Sequence, residues 1–365
     1  MTAGVLGILL RFIARRVGVQ PRIELCPECF CFVIEPQPHG EDSTINRMSV
    51  QEERAALADS VRRLLAEAGL PRAGYGEKPD RDLWRELADL GVVAALAPES
   101  ADGLGLSLAD LGGVVNELGR ACYSGPYVAS AVGATTLLSA IGDTDLLPKV
   151  VAGDVVATVA DGAVVDSGAL ADVVLAIDGD TVKMTDNFTV SDAPTLDGSR
   201  SFATVTYADA QVLATDAAAA IAVTRDRVMA AWLADGLGAA QTIFDLAMEH
   251  ARTRVQFGVP IGSFQAVQHL LVDGYATLTA GRLAVEHALA AADSGDKDFH
   301  RAVTMATAWC CDGFFEVAAG AIAVLGGIGF TWEHEAHLYY KRLLSLQTTR
   351  GGSAAALDEL AALTL

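Results

Sequence analysis

Arg252-Thr-Arg254-Val-Gln256-Phe257-Gly258-Val-Pro260-Ile-Gly262-Ser-Phe264-Gln265-Ala-Val-Gln268-His269 interrupts a long helical pattern. Apolar residues recur at helical spacing from about residue 221, and the pattern resumes after Ser263. Gly258 stops the first helix and Pro260 fixes the turn. A guanidinium at a helix end beside an aromatic ring can bond a pyrophosphate and stack on a flat ligand. The same stretch also reads as an ordinary helix–helix turn with exposed arginines.

Working outward, candidate helices cover about 221–254, 264–294, 298–325, 332–348 and 353–363. Long alanine-rich helices with short connections predict a four-helix bundle. A second glycine-bearing segment, Val324-Leu-Gly326-Gly327-Ile-Gly329-Phe330-Thr331-Trp332, lies between two of them. Closely spaced glycines let a backbone approach a phosphate, although a helix C-terminus also takes glycine.

Upstream the period changes. Val155–Val159, Val173–Ile177, Thr181–Met184 and Thr204–Tyr207 are short β-branched runs, and Asp178-Gly179 is a hairpin signal. They predict a small β domain over 154–215. Before it, Leu57, Val61, Leu64 and Leu65, then Leu83, Leu87 and Leu90, mark amphipathic helices. Ser107, with Asp110 three residues on, marks a helix start. Residues 125–152 read as helical.

Composition narrows the function. Lys and Arg number 26 against 46 Asp and Glu, a net charge of −20, which disfavours a nucleic-acid partner. Six cysteines in 365 residues are too few for a disulfide scaffold. No run of 18 apolar residues stands out as a membrane span. Abundant alanine and 6% aromatics suit a helix-rich cytoplasmic protein.

The two glycine-bearing segments, in this order and spacing, resemble the acyl-CoA dehydrogenase family. Pro98-Glu-Ser…Gly103-Leu-Gly105-Leu-Ser107 is similar to its N-terminal loop. Arg254 to Gln265 is similar to its signature, and Gly326–Phe330 with Tyr340-Lys-Arg342 to its penultimate element. The resemblance covers about residues 50–365. It implies a mostly α fold: an N-terminal helical domain (48–153), a small middle β domain (154–215) and a C-terminal four-helix bundle (216–365). It implies FAD-dependent dehydrogenation of an acyl-CoA thioester between Cα and Cβ, with a glutamate taking the α-proton and flavin N5 the hydride. It further implies FAD shared across a subunit interface, with Arg254, Gln256, Phe257, Gln265, Gly326 and Gly327 as cofactor-binding residues, and an electron-transfer acceptor.

The departures bear on mechanism. The family's usual base position falls on Arg350, and arginine has no acceptor and stays protonated. An alternative base position falls at about Val228, with Asp226 and Asp235 nearby. The Thr-Glu-Pro-type flavin segment is replaced by Ala157–Asp166, and a cofactor-bonding glutamine by Ala323. These losses resemble the shorter, degenerate subunit of a heteromeric enzyme, of the α2β2 kind found in actinobacterial steroid degradation. The partner would be a paralogous dehydrogenase subunit and the substrate a steroid-derived CoA thioester. Two alternatives stay open: a self-sufficient enzyme using Asp226 or Asp235 as base, and a non-enzymatic scaffold.

Residues 1–47 look foreign to the rest. Five basic and five acidic residues cancel there, so the whole −20 resides in 48–365. The apolar run Val5–Leu10 could be an anchor and Cys26-Pro-Glu-Cys29-Phe-Cys31 a metal site. The favoured expectation is a mis-assigned start, with translation from Met48. His334 and His337 lack an acidic third ligand, so no metal is expected. Cys310-Cys311, Trp232, Trp309 and Trp332 read as packing residues.

Overall fold

The computed structural model describes residues 20–25, 32–37, 43–72, 76, 81–193, 195–294 and 298–364. The Val5–Leu10 run, Cys26, Cys29, Cys31 and His39 lie outside them. Strands β1 (Gln20–Leu25) and β2 (Phe32–Gln37) pair antiparallel, with Gln20 opposite Gln37. Helix α1 (Ser43–Glu67) then runs through Met48 without a break.

The N-terminal helical region forms where the apolar spacing predicts. Leu57, Val61 and Leu65 of α1 are buried on one face. Helix α2 (Arg81–Asp89) buries Leu83, Trp84 and Leu87, and the Trp84 indole donates to Gly153 O at 3.0 Å. Helix α3 (Leu108–Arg120) opens with a full capping box: Asp110 N–H donates to Ser107 Oγ, and Ser107 N–H donates to Asp110 Oδ2. Asp293 supplies a second cap from far along the chain, accepting from Leu108 N and Ala109 N at 2.8 Å each. Residues 125–152 are helical in three short pieces: a π-helical segment Tyr127–Ala134, then α4 (Thr135–Ile141) and α5 (Leu147–Val151).

The middle region is β, as the change of period predicts. Strands β3 (Ala157–Ala160), β4 (Val173–Asp178), β5 (Thr181–Thr185) and β8 (Gln211–Ala214) form a four-stranded sheet in the order β3-β4-β5-β8. β3 and β4 are parallel, the other pairs antiparallel. The β4–β5 hairpin turns at Gly179, φ +65°. Strands β6 (Thr189–Asp192) and β7 (Ala203–Thr206) make a separate ribbon. β6 and β8 are largely exposed, which removes the hydrophobic pattern that reveals a strand. One face of the sheet packs on Leu137, Leu138, Leu147 and Val150.

The C-terminal region comprises α6 (Ala218–Thr253), β9 (Val255–Gln256), β10 (Val259–Pro260), α7 (Gln265–Ser294), α8 (Phe299–Leu325), α9 (Ala336–Thr348) and α10 (Gly352–Thr364). α8 touches α6, α7, α9 and α10. A window of α8 and its continuation is apolar enough for a membrane span, with mean hydropathy 1.7, but α8 is a core helix packed by four others. α3 crosses α6 at backbone contact. A Cβ on Gly119 would lie 1.9 Å from Asp235 O, and one on Gly238 would lie 2.0 Å from Asn116 O. Only glycine fits either position.

Candidate functional site

Three places in the fold carry the chemistry the sequence singled out. The first is the turn between α6 and α7. Arg254 caps α6 in extended conformation, and β9 and β10 form a two-residue hairpin around Phe257 and Gly258. Both central residues have positive φ, +53° and +81°, as a type I′ turn requires. The turn projects Phe257 into solvent at 93% exposure, edge-on to Phe264. Gln256 and Gln265 are exposed beside it. An apolar groove of about 570 Å³ opens next to the hairpin, walled by Phe244, Met248, Leu271, Val272 and Tyr275.

Gly326 caps α8 with φ +64°, and open space surrounds the Cα of both Gly326 and Gly327. Phe330 and Trp332, just beyond, are 79% and 67% exposed. Trp332 and the half-exposed Trp309 therefore do not fill the interior, whereas Trp232 does. The glycine loop and the hairpin converge on one neighbourhood. Burial, then the charges of Arg254 and His334, hold His250 below the ordinary histidine value. His334 Nδ1 accepts from Ala336 N–H, and His337 packs against Trp332. Among the described residues no group of three His, Cys, Asp or Glu side chains is placed to hold a metal ion.

The second place is a buried ion network around Asp235. Its Oδ2 accepts from Arg342 at 2.6 Å, and its Oδ1 accepts from Arg342 Nε and Arg200, each at 2.9 Å. Arg342 also donates to Ser199 Oγ and to Tyr123 O. The Arg200 guanidinium sits 3.5 Å from the Trp232 ring centroid, and Phe202 stacks on the same indole. Asp235 and Arg342 are each 1% exposed. Burial alone would raise the Asp235 carboxyl, but the two guanidiniums outweigh it and hold it below the ordinary value. With both oxygens occupied by permanent cations, Asp235 cannot take a proton from a substrate. It is the joint between the three regions, a role invisible in a helical pattern. Arg342 stood in a matched motif without a role, and Arg200 carried no signal.

The third place surrounds Arg350. It occupies a turn between α9 and α10 with left-handed φ/ψ of 52°/30°. Its guanidinium meets Asp161, just after β3, at 3.3 Å. Asp161 is already held by Arg225 at 2.7 and 2.6 Å, which keeps its carboxyl below the ordinary value. Beside them, His300 bridges two carboxylates: Nδ1 lies 3.0 Å from Asp226, and Nε2 lies 3.0 Å from Glu359. Arg225, Arg350, Asp226, His300 and Glu359 line a pocket of about 350 Å³ whose apolar residues include Met229, Val303, Ala355 and Ala356. Asp226 is thus engaged by an imidazole. Burial nevertheless keeps its carboxyl above the ordinary value. Asp161, Arg225, His300 and Glu359 were not foreseen, because they meet only through the tertiary fold.

His300 predicts a pH dependence. Burial lowers it, but the bonds and charges of Asp226 and Glu359 outweigh that and raise it above 6.5. A group whose folded pKa is raised contributes stability below its unfolded pKa and loses it as pH rises through the folded value. The melting-temperature difference between the natural chain and His300→Gln is therefore expected to shrink as pH rises from about 6 to about 9. A difference independent of pH would show that folding does not raise the pKa of His300.

Comparison with known proteins gives the family. Residues 51–154 match the acyl-CoA dehydrogenase N-terminal domain and residues 217–364 the acyl-CoA dehydrogenase C-terminal domain. A 33% identity extends over 309 residues, 80% of this chain and 93% of the other, with acyl-CoA dehydrogenase IpdE2 of Mycolicibacterium smegmatis. The chain belongs to the acyl-CoA dehydrogenase family. Members of this family are FAD-dependent oxidoreductases acting on CH–CH bonds. Among solved acyl-CoA dehydrogenases, the Tcur3481-Tcur3483 steroid enzyme superposes with a TM-score of 0.77 at 27% identity, covering 86% of this chain and 98% of that one. The ChsE4-ChsE5 complex of Mycobacterium tuberculosis follows at 0.76 and 25%, covering 85% and 96%.

Proposed function

We propose that this chain is the non-catalytic subunit of a heteromeric acyl-CoA dehydrogenase, completing the FAD site of a paralogous partner in an α2β2 assembly. The observation that carries the reading is the contrast between its two ends. Where the family keeps its base, this chain has Arg350, and the nearby carboxylates Asp161, Asp226 and Glu359 are each bonded to a cation or imidazole. Where the family meets cofactor, the chain offers intact, outward-facing groups.

Those groups fit the adenosine diphosphate of FAD. On this reading Arg254 donates to the pyrophosphate, Phe257 packs on a flat ring, and Gln256 and Gln265 bond polar edges. The open space over Gly326 and Gly327 admits a close backbone approach. When bound, the flavin supplies acceptance of the hydride from Cβ. This chain's own residues anchor and orient, and the partner contributes the proton acceptor. The steroid enzymes among the relatives support a steroid-derived CoA thioester as substrate, with an electron-transfer acceptor in the cytoplasm.

The test is co-expression with paralogous dehydrogenase subunits and the visible spectrum of what co-purifies. A colourless chain that joins a yellow, active complex is the expected result. A yellow chain active alone would favour a self-sufficient enzyme, and a colourless protein in every complex a scaffold. Within the complex, Arg254→Ala is expected to weaken FAD retention about ten- to a hundredfold, the worth of one or two charge-assisted bonds. Unchanged flavin affinity by equilibrium dialysis would remove Arg254 from the cofactor site.

A further inference from the structure

We propose that the pocket beneath Arg350 binds the carboxylate of a small organic acid, whose hydrocarbon part lies along the wall formed by Met229, Val303 and Ala356. This goes beyond the subunit reading, since the pocket is built from this chain alone. Three observations converge on it.

First, Arg350 has donors to spare. A guanidinium carries five N–H groups in a rigid fork, and a single 3.3 Å bond to Asp161 engages this one. Asp161 is itself taken by two shorter bonds from Arg225. Two guanidiniums thus share one carboxylate, and Arg350 is the looser of the two.

Second, the other carboxylates at the pocket are turned to His300 rather than to Arg350. Asp226 on α6 and Glu359 on α10 each lie 3.0 Å from an imidazole nitrogen on α8. A protonated His300 satisfies both and leaves the Arg350 fork with only the single bond to Asp161. Third, the cavity has the matching shape. About 350 Å³ has room for roughly a dozen waters at bulk density. One wall is apolar and the charged groups line the rim, which suits an amphipathic acid of short chain. The left-handed backbone at Arg350 holds the guanidinium at this rim at a local conformational cost. A guanidinium here complements a ligand carboxylate where the family has a carboxylate of its own.

Isothermal titration of the full chain with hexanoate, and with hexanamide as its neutral counterpart, tests the proposal. Saturable binding of hexanoate but not of the amide is expected. Arg350→Ala should weaken hexanoate about ten- to a hundredfold and Arg350→Lys by less, because lysine keeps the charge but loses the fork. Binding should also weaken as pH rises through the raised pKa of His300. Neutral imidazole leaves Asp226 and Glu359 uncompensated beside Arg225 and Arg350, and His300→Gln should abolish that dependence. Glu359→Gln, which removes a competing charge from the exposed helix α10, should tighten hexanoate and keeps the test open if Arg350→Ala folds poorly. Equal binding of acid and amide, no saturable binding of hexanoate, or affinity unchanged in both Arg350→Ala and Glu359→Gln would overturn the proposal. None of these results bears on flavin retention by the complex, so the two readings stand or fall separately.

Discussion

Asp235→Ala is expected to destabilise the folded chain by about 3–5 kcal/mol, the usual loss when one partner of a buried pair is removed. Arg342 would be left in a dry interior without its anion, and Arg200 with only the longer 3.6 Å contact to buried Asp197. Removing Arg342 as well, as Asp235→Leu with Arg342→Met, while leaving Arg200 paired with Asp197, should recover much of the loss, since the cost lies in the orphaned charges rather than in missing attraction. Urea unfolding followed by fluorescence of Trp232, which stacks against Arg200, measures both. A loss below about 1 kcal/mol in the single variant would mean that water reaches the network. Because the Asp235 carboxyl is held below its ordinary value, its contribution is present above that value and lost as pH falls through the folded pKa.

The second large effect is on turnover. The isolated chain, supplied with FAD and acyl-CoA thioesters, is expected to show no dehydrogenation, and Arg350→Glu should not create it. A carboxylate restored at that position would still face Asp161 and a middle domain without the family's flavin-binding segment. The subunit reading expects that, in a complex with a paralogous subunit, replacing that subunit's glutamate base by glutamine lowers the rate about 10²–10⁴-fold, the usual worth of a general base. Robust turnover by the chain alone, lost on changing Asp226, would assign the base to the Asp226–His300 pair instead.

The fold was legible because its signals are local. Leu57, Val61 and Leu65 repeat at helical spacing, Ser107 and Asp110 carry a capping box, and Asp178-Gly179 turns a hairpin. Strands β6 and β8 escaped because exposed strands need no apolar alternation. All five candidate C-terminal helices form, and the last, α10, packs on α8. The turn from Arg254 to Gln265 was legible because it resides in one segment. Groupings of residues far apart in sequence were not. Asp161 meets Arg350 across 189 residues and His300 meets Asp226 across 74. Asp235 shows the limit most clearly. As a lone acid in a helix it could be a base, and only the burial of Arg342 against it makes that impossible.

The glycine crossing of α3 and α6 has a consequence for the chain's synthesis. Asn116 bonds Ala234 O across 118 residues, and the whole middle region lies between. A ribosome adding about 5–20 residues per second exposes α3 for several seconds before α6 exists to cover it. Val114, Val115 and Leu118, all buried in the finished protein, stand open during that interval. The N-terminal third is therefore expected to carry an uncovered apolar face until α6 emerges. Cutting the chain at the β domain would leave two fragments, each with an uncovered apolar face and neither able to complete the core alone.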